Sequence, residues 1–206
     1  MLINDGLKQL GLNQDDQKIR VLDRYVKEIE LWNPRYGLVN AKGDQLIIRH
    51  ILDSLSGVSL LKDLKPSSVA DIGSGAGLPG IPLAIFLPDV QFSLVERSGR
   101  RVSFLQNAVL ALGLKNVTIV EKAMEDLKNQ YDVITFRGFS PFSRDLLGHL
   151  GRILAENGCV VAYKGKKRQI NEELNQLDES ENRKIKIIPV SVPFLKEERH
   201  MVTMSL

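Results

Sequence analysis

The chain has 206 residues, 43% hydrophobic and 26% charged, the proportions of a globular protein that buries a full core, and this excludes a disordered or fibrous chain. At this length one domain with a modest extension is expected. The formal charge of +3 is too small to establish a nucleic-acid partner by itself, and a single cysteine, Cys159, excludes an internal disulfide.

The first residues, "MLINDGLKQLGLNQ", carry Asp5 and Lys8 inside their apolar run, which argues against a signal peptide. No uninterrupted apolar segment is long enough to span a bilayer, so a cytoplasmic protein without a membrane partner is expected. From Asp15 to Trp32, the residues Ile19, Leu22, Val26, Ile29 and Leu31 recur near helical spacing. "NPRYGLVN" has the Pro and Gly of a loop, and Asp44 to Leu61 offers a second helical segment that contains "RHILDSL". Residues 1–65 are therefore read as an N-terminal helical cap and 66–206 as the main domain.

After Pro66 the pattern becomes short apolar runs alternating with longer amphipathic segments: "SSVADIG", "QFSLVE", "VTIVE", "YDVITF" and "GCVVAYK". Helices are expected between them, covering both faces of a parallel sheet. The last two runs, "KIKIIPVSVPF" and "HMVTMSL", are separated only by "LKEER", too short for a crossover helix, so an antiparallel hairpin should close the sheet. Cys159 lies in the fifth run and is read as core.

The first run ends in "ADIGSGAGLPG". A dinucleotide pattern G-x-G-x-x-G is present in the register Gly75, Gly77, Gly80, but the strand hands over at Gly73. Counted from Gly73 the third glycine comes one place early for a dehydrogenase. An acidic residue two places before the first glycine, here Asp71, is instead the pattern of methyltransferases that use S-adenosylmethionine (SAM). Gly73, Gly75 and Gly77 would let the backbone approach a bulky sulfonium ligand and adopt positive φ.

Glu96 closes the second run, where doubly wound folds place a carboxylate on the ribose hydroxyls; an ion pair with Arg97 or Arg100 is the alternative. Met124 and Glu125 follow the third run, beside the expected adenine site, although Glu125 also suits an ordinary first helical turn. Three basic groups each follow a predicted strand: Arg97, Arg100 and Arg101; Arg137; and Lys164, Lys166, Lys167 and Arg168. Parallel strands present their carboxyl ends at one edge, so these groups should gather round one mouth as candidate RNA contacts. Arg49 and His50 reach that mouth from the cap or else stabilise the cap itself. Arg199 and His200 contact RNA or else close the hairpin.

The chain resembles the ribosomal RNA small subunit methyltransferase G family, also called glucose-inhibited division protein B, over nearly its whole length. The resemblance rests on "LWNPRYGLVN", "RHILDSL", "ADIGSGAGLPGIPLAI", "SGRRVSFL", "YKG" and "ERHMV". It implies the seven-stranded class I SAM-dependent methyltransferase fold, a Rossmann-like α/β sheet with an antiparallel last strand. It also implies transfer of a methyl group from SAM to N7 of one guanine in 16S ribosomal RNA, leaving S-adenosylhomocysteine. Mapped onto this sequence, the family's cofactor contacts fall on Gly73, Leu78, Met124, Glu125 and Arg137. Many members have Ala where this chain has Gly138, and Met124 replaces a smaller residue.

The residues themselves limit the chemistry. "RGFSPF" after the fourth run lacks the Asn/Asp-Pro-Pro-aromatic stretch common in exocyclic amine methylation, and cytosine C5 methylation needs a cysteine nucleophile in a loop. Guanine N7 has a free in-plane lone pair and needs positioning rather than a base. Arg137 is read as holding the guanine O6 edge, or as an arginine paired with Asp71 or Glu96. No metal is expected, and the protein is read as a monomer. A small-metabolite methyltransferase and a non-catalytic SAM-binding protein of ribosome assembly remain the rival readings.

Overall fold

A computed structural model describes residues 2–177 and 184–206. Seven strands, β1 (Ser68–Ile72), β2 (Gln91–Val95), β3 (Val117–Val120), β4 (Tyr131–Arg137), β5 (Leu154–Lys164), β6 (Lys184–Val190) and β7 (Arg199–Ser205), form one sheet in the order β3-β2-β1-β4-β5-β7-β6. Strands β1 to β5 pair in parallel, and β7 is antiparallel to both β5 and β6. This is the expected α/β architecture with its closing hairpin. The strand order reverses between β1 and β4, the point at which open α/β sheets form a crevice beyond their carboxyl ends.

Side chains alternate across β1: Val69 joins one buried cluster, Ala70 and Ile72 the other. The Val69 face is covered by the N-terminal helices together with α6 (Gly80–Phe86) and α7 (Gly99–Leu112). The N-terminal helices are α1 (Leu2–Gln9), α2 (Asp16–Tyr36), α3 (Asp44–Leu46), α4 (Asp53–Leu55) and α5 (Val58–Leu64). Helices α8 (Arg144–Ile153) and α9 (Lys167–Leu174) cover the opposite face. One continuous cluster runs from Ile3 and Leu22 through Leu61 to Val69 and Phe104, so the N-terminal helices share their core with the sheet.

Four local readings are corrected. Helix α2 starts at the Asp15 cap, whose side chain accepts from Gln17 N–H, and it continues through Pro34 to end at Gly37 with φ +58°. The expected loop at "NPRY" is therefore its last turn. The Asn33 amide then binds both the N–H and the carbonyl of Val39, each at 2.9 Å, and folds the chain back. Leu31 is 72% exposed, because it lies two residues, about 200° of helical rotation, beyond the buried Ile29; Tyr25 completes the stripe instead.

The 44–61 segment is not one helix either. Ile47–Leu52 widens into a π-helical turn, and the chain breaks at Ser56 and Gly57 before α5. A Cβ on Gly57 would overlap the Tyr163 hydroxyl, which donates to the Ser54 carbonyl at 2.8 Å. Finally, β3 and β4 are joined by no α-helix, only by a 3-10 turn at Met124–Asp126. That leaves the face beyond the ends of β1 and β2 open. Cys159 is half-buried against the core. Among the described residues no helix is long and apolar enough to cross a membrane.

Candidate active site

The glycine loop is folded by contacts that the strand ends supply. Gly73 and Ser74 N–H both donate to the Val95 carbonyl, at 2.9 and 3.1 Å, fixing the loop to the end of β2. Gly73 has φ +66°, and the Phe139 ring lies against it so closely that a Cβ would sit 2.3 Å from Phe139 Cδ2. Asp71 shares the Val69 face and is fully buried, where its Oδ2 accepts from Gly80 N–H at 3.0 Å at the start of α6. A Cβ on Gly80 would lie 2.7 Å from that oxygen, so the fourth glycine is required by the carboxylate beneath it. Burial pushes the Asp71 carboxyl up to about 7 against the opposing bond from Gly80.

Beyond the strand ends is a cleft of about 650 Å³, within the range of small-molecule sites. Gly73, Glu96, Met124 and Glu125 line it, with Ile72, Val95 and Leu146 as apolar walls. Glu96 is 4% exposed; its two oxygens accept from Gly75 N–H at 3.0 Å and Ser98 N–H at 2.9 Å. Its cationic neighbour is Arg101, at 3.7 Å, rather than Arg97 or Arg100. The sequence reading missed other lining residues, Lys122 and Phe139 and, on α8, Asp145 and His149. The i, i+4 spacing of Asp145 and His149 on one helix face was the signal available for that pair.

A second cavity of about 290 Å³ adjoins the cleft at Gly138, which lines both. It is lined by Asp53, Arg137, Tyr163, Lys164, Arg199 and His200 among others. Asp53, 3% exposed, binds Arg137 at 3.2 Å through one oxygen and Arg199 at 3.1 Å through the other. Arg137 also donates to the Arg49 carbonyl at 3.3 Å and meets His50 Nδ1 at 2.9 Å. Both partners belong to the π-helical turn, a feature often found at functional sites. Burial and then the nearby Arg137 charge lower the His50 imidazole to about 4. Among the described residues the buried Arg137 Nε has no hydrogen-bond partner.

The sequence-predicted residues therefore divide into groups. Gly73, Glu96, Met124 and Glu125 meet at the cleft; Gly75 touches it through Glu96. Asp71, Gly77 and Leu78 lie beneath or behind the loop: a Cβ on Gly77 would strike Ile81, and Leu78 is 4% exposed in the core. Arg137 borders the second cavity, and its partner is Asp53 of the cap rather than Asp71 or Glu96. Of the proposed RNA contacts, Lys164 is tied to Glu173 and to the Ser140 carbonyl, at 2.6 and 3.1 Å, and His200 Nδ1 lies 2.7 Å from the Gly165 carbonyl. Arg49 pairs with Glu197, and Arg168 with Glu172. Arg101 reaches the cleft, while Arg100 leans on Tyr36 and donates to the Arg35 carbonyl at 3.1 Å. Lys166 and Lys167 are exposed at the start of α9.

The fold is shared with solved structures, a methylase among them. A ribosomal protein L11 methylase from Lactobacillus delbrueckii subsp. bulgaricus superposes with a TM-score of 0.57 at 16% identity, covering 74% of this chain and 76% of that one. The cofactor-bound Rv0187 from MTB superposes with a TM-score of 0.64 at 13% identity, covering 90% of this chain and 88% of that one. Sequence similarity is much closer to proteins called ribosomal RNA small subunit methyltransferase G. That of Borrelia hermsii is 38% identical over 96% of this chain and 95% of its own length, and that of Treponema denticola 35% identical over 96% and 91%. The family model described as rRNA small subunit methyltransferase G matches residues 18–202. With the sheet order, the glycine loop and this match in agreement, the chain belongs to the rRNA small subunit methyltransferase G family.

Proposed function

We propose that the protein transfers the methyl group of SAM to N7 of a guanine in 16S ribosomal RNA. The observation that carries this reading is the meeting of two unlike cavities at Gly138: a larger cleft of mixed lining with one buried carboxylate, and a smaller cavity ringed by Arg137, Lys164 and Arg199. The names of its relatives, which specify small-subunit ribosomal RNA, point the same way.

The cleft suits SAM. Each Glu96 oxygen spends one acceptor site on a backbone N–H and keeps another for a ribose hydroxyl. Ile72, Val95 and Met124 offer apolar contact for adenine, and the missing Cβ of Gly73 admits the Phe139 ring to the cleft wall. When bound, SAM supplies a methyl group activated by its sulfonium. The protein's own contribution is to hold the accepting base in line and to exclude water.

The second cavity suits an acceptor that loses no proton. Asp53 is held by two arginines, His50 accepts from Arg137, His200 is fixed by the Gly165 carbonyl, and Lys164 is paired with Glu173. Burial keeps the Tyr163 phenol protonated. Asp53 and His50 are thus engaged by arginines, while His200, with Nδ1 donating to Gly165, keeps Nε2 as an acceptor; N7 presents a bare lone pair and calls on no base. Mapping labelled methyl groups in ribosomal RNA after incubation with SAM tests the reading. A single N7-methylguanine in 16S RNA is the expected result; label appearing only in small metabolites would overturn it.

A further inference from the structure

We propose that Phe139 is the aromatic plate on which the target guanine stacks, and that it stabilises the positive charge that methylation places on the purine. This rests on the reading of the protein as a guanine methyltransferase and names a residue that positions the base.

Phe139 lines the larger cleft and directly follows Gly138, the residue shared by the two cavities. The preceding Gly138 lines both and has φ +61°, so the chain turns sharply as it leaves β4. A Cβ on Gly138 would meet nothing within 4 Å, so glycine serves conformation there and not space. The turn carries Phe139 out of the sheet edge, where it is 40% exposed and lines the cleft beside Gly73. Behind it stands Phe136, 1% exposed, whose ring meets that of Phe139 edge-on with centroids 6.1 Å apart and planes at 60°. Phe136 is itself braced by Phe142 at 6.3 Å. A ring backed by a buried aromatic pair and still two-fifths open to solvent is a surface prepared for another flat group.

The chemistry explains why the group is a purine. Hydrogen bonds to the edge of a base leave its plane free to tilt. The N7 lone pair lies in that plane, so in-line transfer requires the plane to be fixed too, which stacking achieves. As the methyl group arrives, the neutral guanine becomes a cation. An aromatic face attracts a cation more than a neutral ring. The contact therefore strengthens toward the transition state, which is the condition for it to raise the rate and not only the affinity.

Phe139→Leu keeps apolar bulk and removes the π face; Phe139→Trp keeps and enlarges it. Three measurements are made on each variant and on the wild-type protein. They are SAM affinity by calorimetry, the single-turnover rate on 16S RNA at saturating RNA and SAM, and affinity for 7-methylguanosine 5′-monophosphate against guanosine 5′-monophosphate. Phe139→Leu should slow single turnover roughly tenfold or more, erase the preference for the methylated, cationic nucleotide and cost SAM affinity much less than it costs the rate. Phe139→Trp should restore rate and preference. If Phe139→Leu transfers at the wild-type rate, or loses SAM affinity in proportion to rate, the plate assignment is overturned. If the wild-type protein itself modifies no guanine, the function proposed above fails first and the plate falls with it.

Discussion

Arg137 on β4 and His50 on the π-helical turn face each other at 2.9 Å, Nη2 to Nδ1. An arginine can only donate, so His50 accepts at Nδ1 and carries its proton on Nε2. The pair locks a neutral imidazole between the cap and the sheet, with Arg49 and Arg199 also bearing on it.

That arrangement has a pH signature. The folded His50 pKa of about 4 lies below its ordinary 6.5, so its contribution to stability is complete above pH 6.5 and is lost as pH falls toward 4. The melting temperature of the wild-type protein should therefore drop between pH 6.5 and 4.5 more steeply than that of His50→Gln. Parallel curves would show that His50 protonates freely in the folded state.

Asp71 has the opposite sign. Its folded pKa of about 7 exceeds its ordinary 3.8, so stability present below pH 3.8 is lost as pH rises through 7. Asp71→Asn retains an acceptor for Gly80 N–H and removes the charge. Relative to wild type, this variant should gain stability from pH 4 to pH 7, by up to about 4 kcal/mol. Denaturant unfolding at pH 5 and pH 8 measures the gap, and a gap that does not widen refutes the buried charge.

We predict that Glu96→Ala weakens SAM by about 1.5 to 3 kcal/mol, the worth of hydrogen bonds to a charged group. It also frees Gly75 N–H at the loop, so part of the loss reflects loop order. Calorimetric titration reads the total, and unchanged affinity removes Glu96 from the cofactor site.

The methyl transfer step should vary little between about pH 6 and pH 8.5, since the N7 lone pair carries no proton to be removed. Arg137→Lys should slow it sharply despite keeping the charge, because lysine cannot serve the Arg49 carbonyl, Asp53 and His50 together. Single-turnover assays across that range test both statements. A tenfold rise with pH would reveal a base.

Exposed Lys166 and Lys167 and internally paired Lys164 should behave differently. Neutralising the first two should flatten the salt dependence of RNA binding, whereas Lys164→Met should instead loosen the contacts to Ser140 and Glu173. Affinity measured from low to moderate salt separates the roles. Equal salt slopes for all variants would place the RNA path elsewhere.

The sheet was legible because alternating short apolar runs and a closing pair with no crossover length leave few topologies. The glycine loop was legible because Gly73 follows the strand directly. The burial of Asp71 was not legible without the side-chain period, which sets it on the Val69 face where it accepts from Gly80 N–H. The pairing of Asp53 with Arg137 and Arg199 joins residues 84 and 146 positions apart, which no local pattern announces. Phe139 was hidden in "RGFSPF", where the sequence shows an aromatic but not that it remains uncovered.

The sheet order also sets a sequence in time. Strand β7 is the last of the chain yet lies inside the sheet, between β5 and β6. Every residue lining the larger cleft comes from positions 72–149, whereas the smaller cavity needs Arg199, His200 and Met201. A chain still emerging from its synthesis can thus encode the first site in full while the second is missing. The arginine-lined cavity is completed only when β7 slots between β5 and β6, so the capacity to engage an acceptor depends on closure of the sheet.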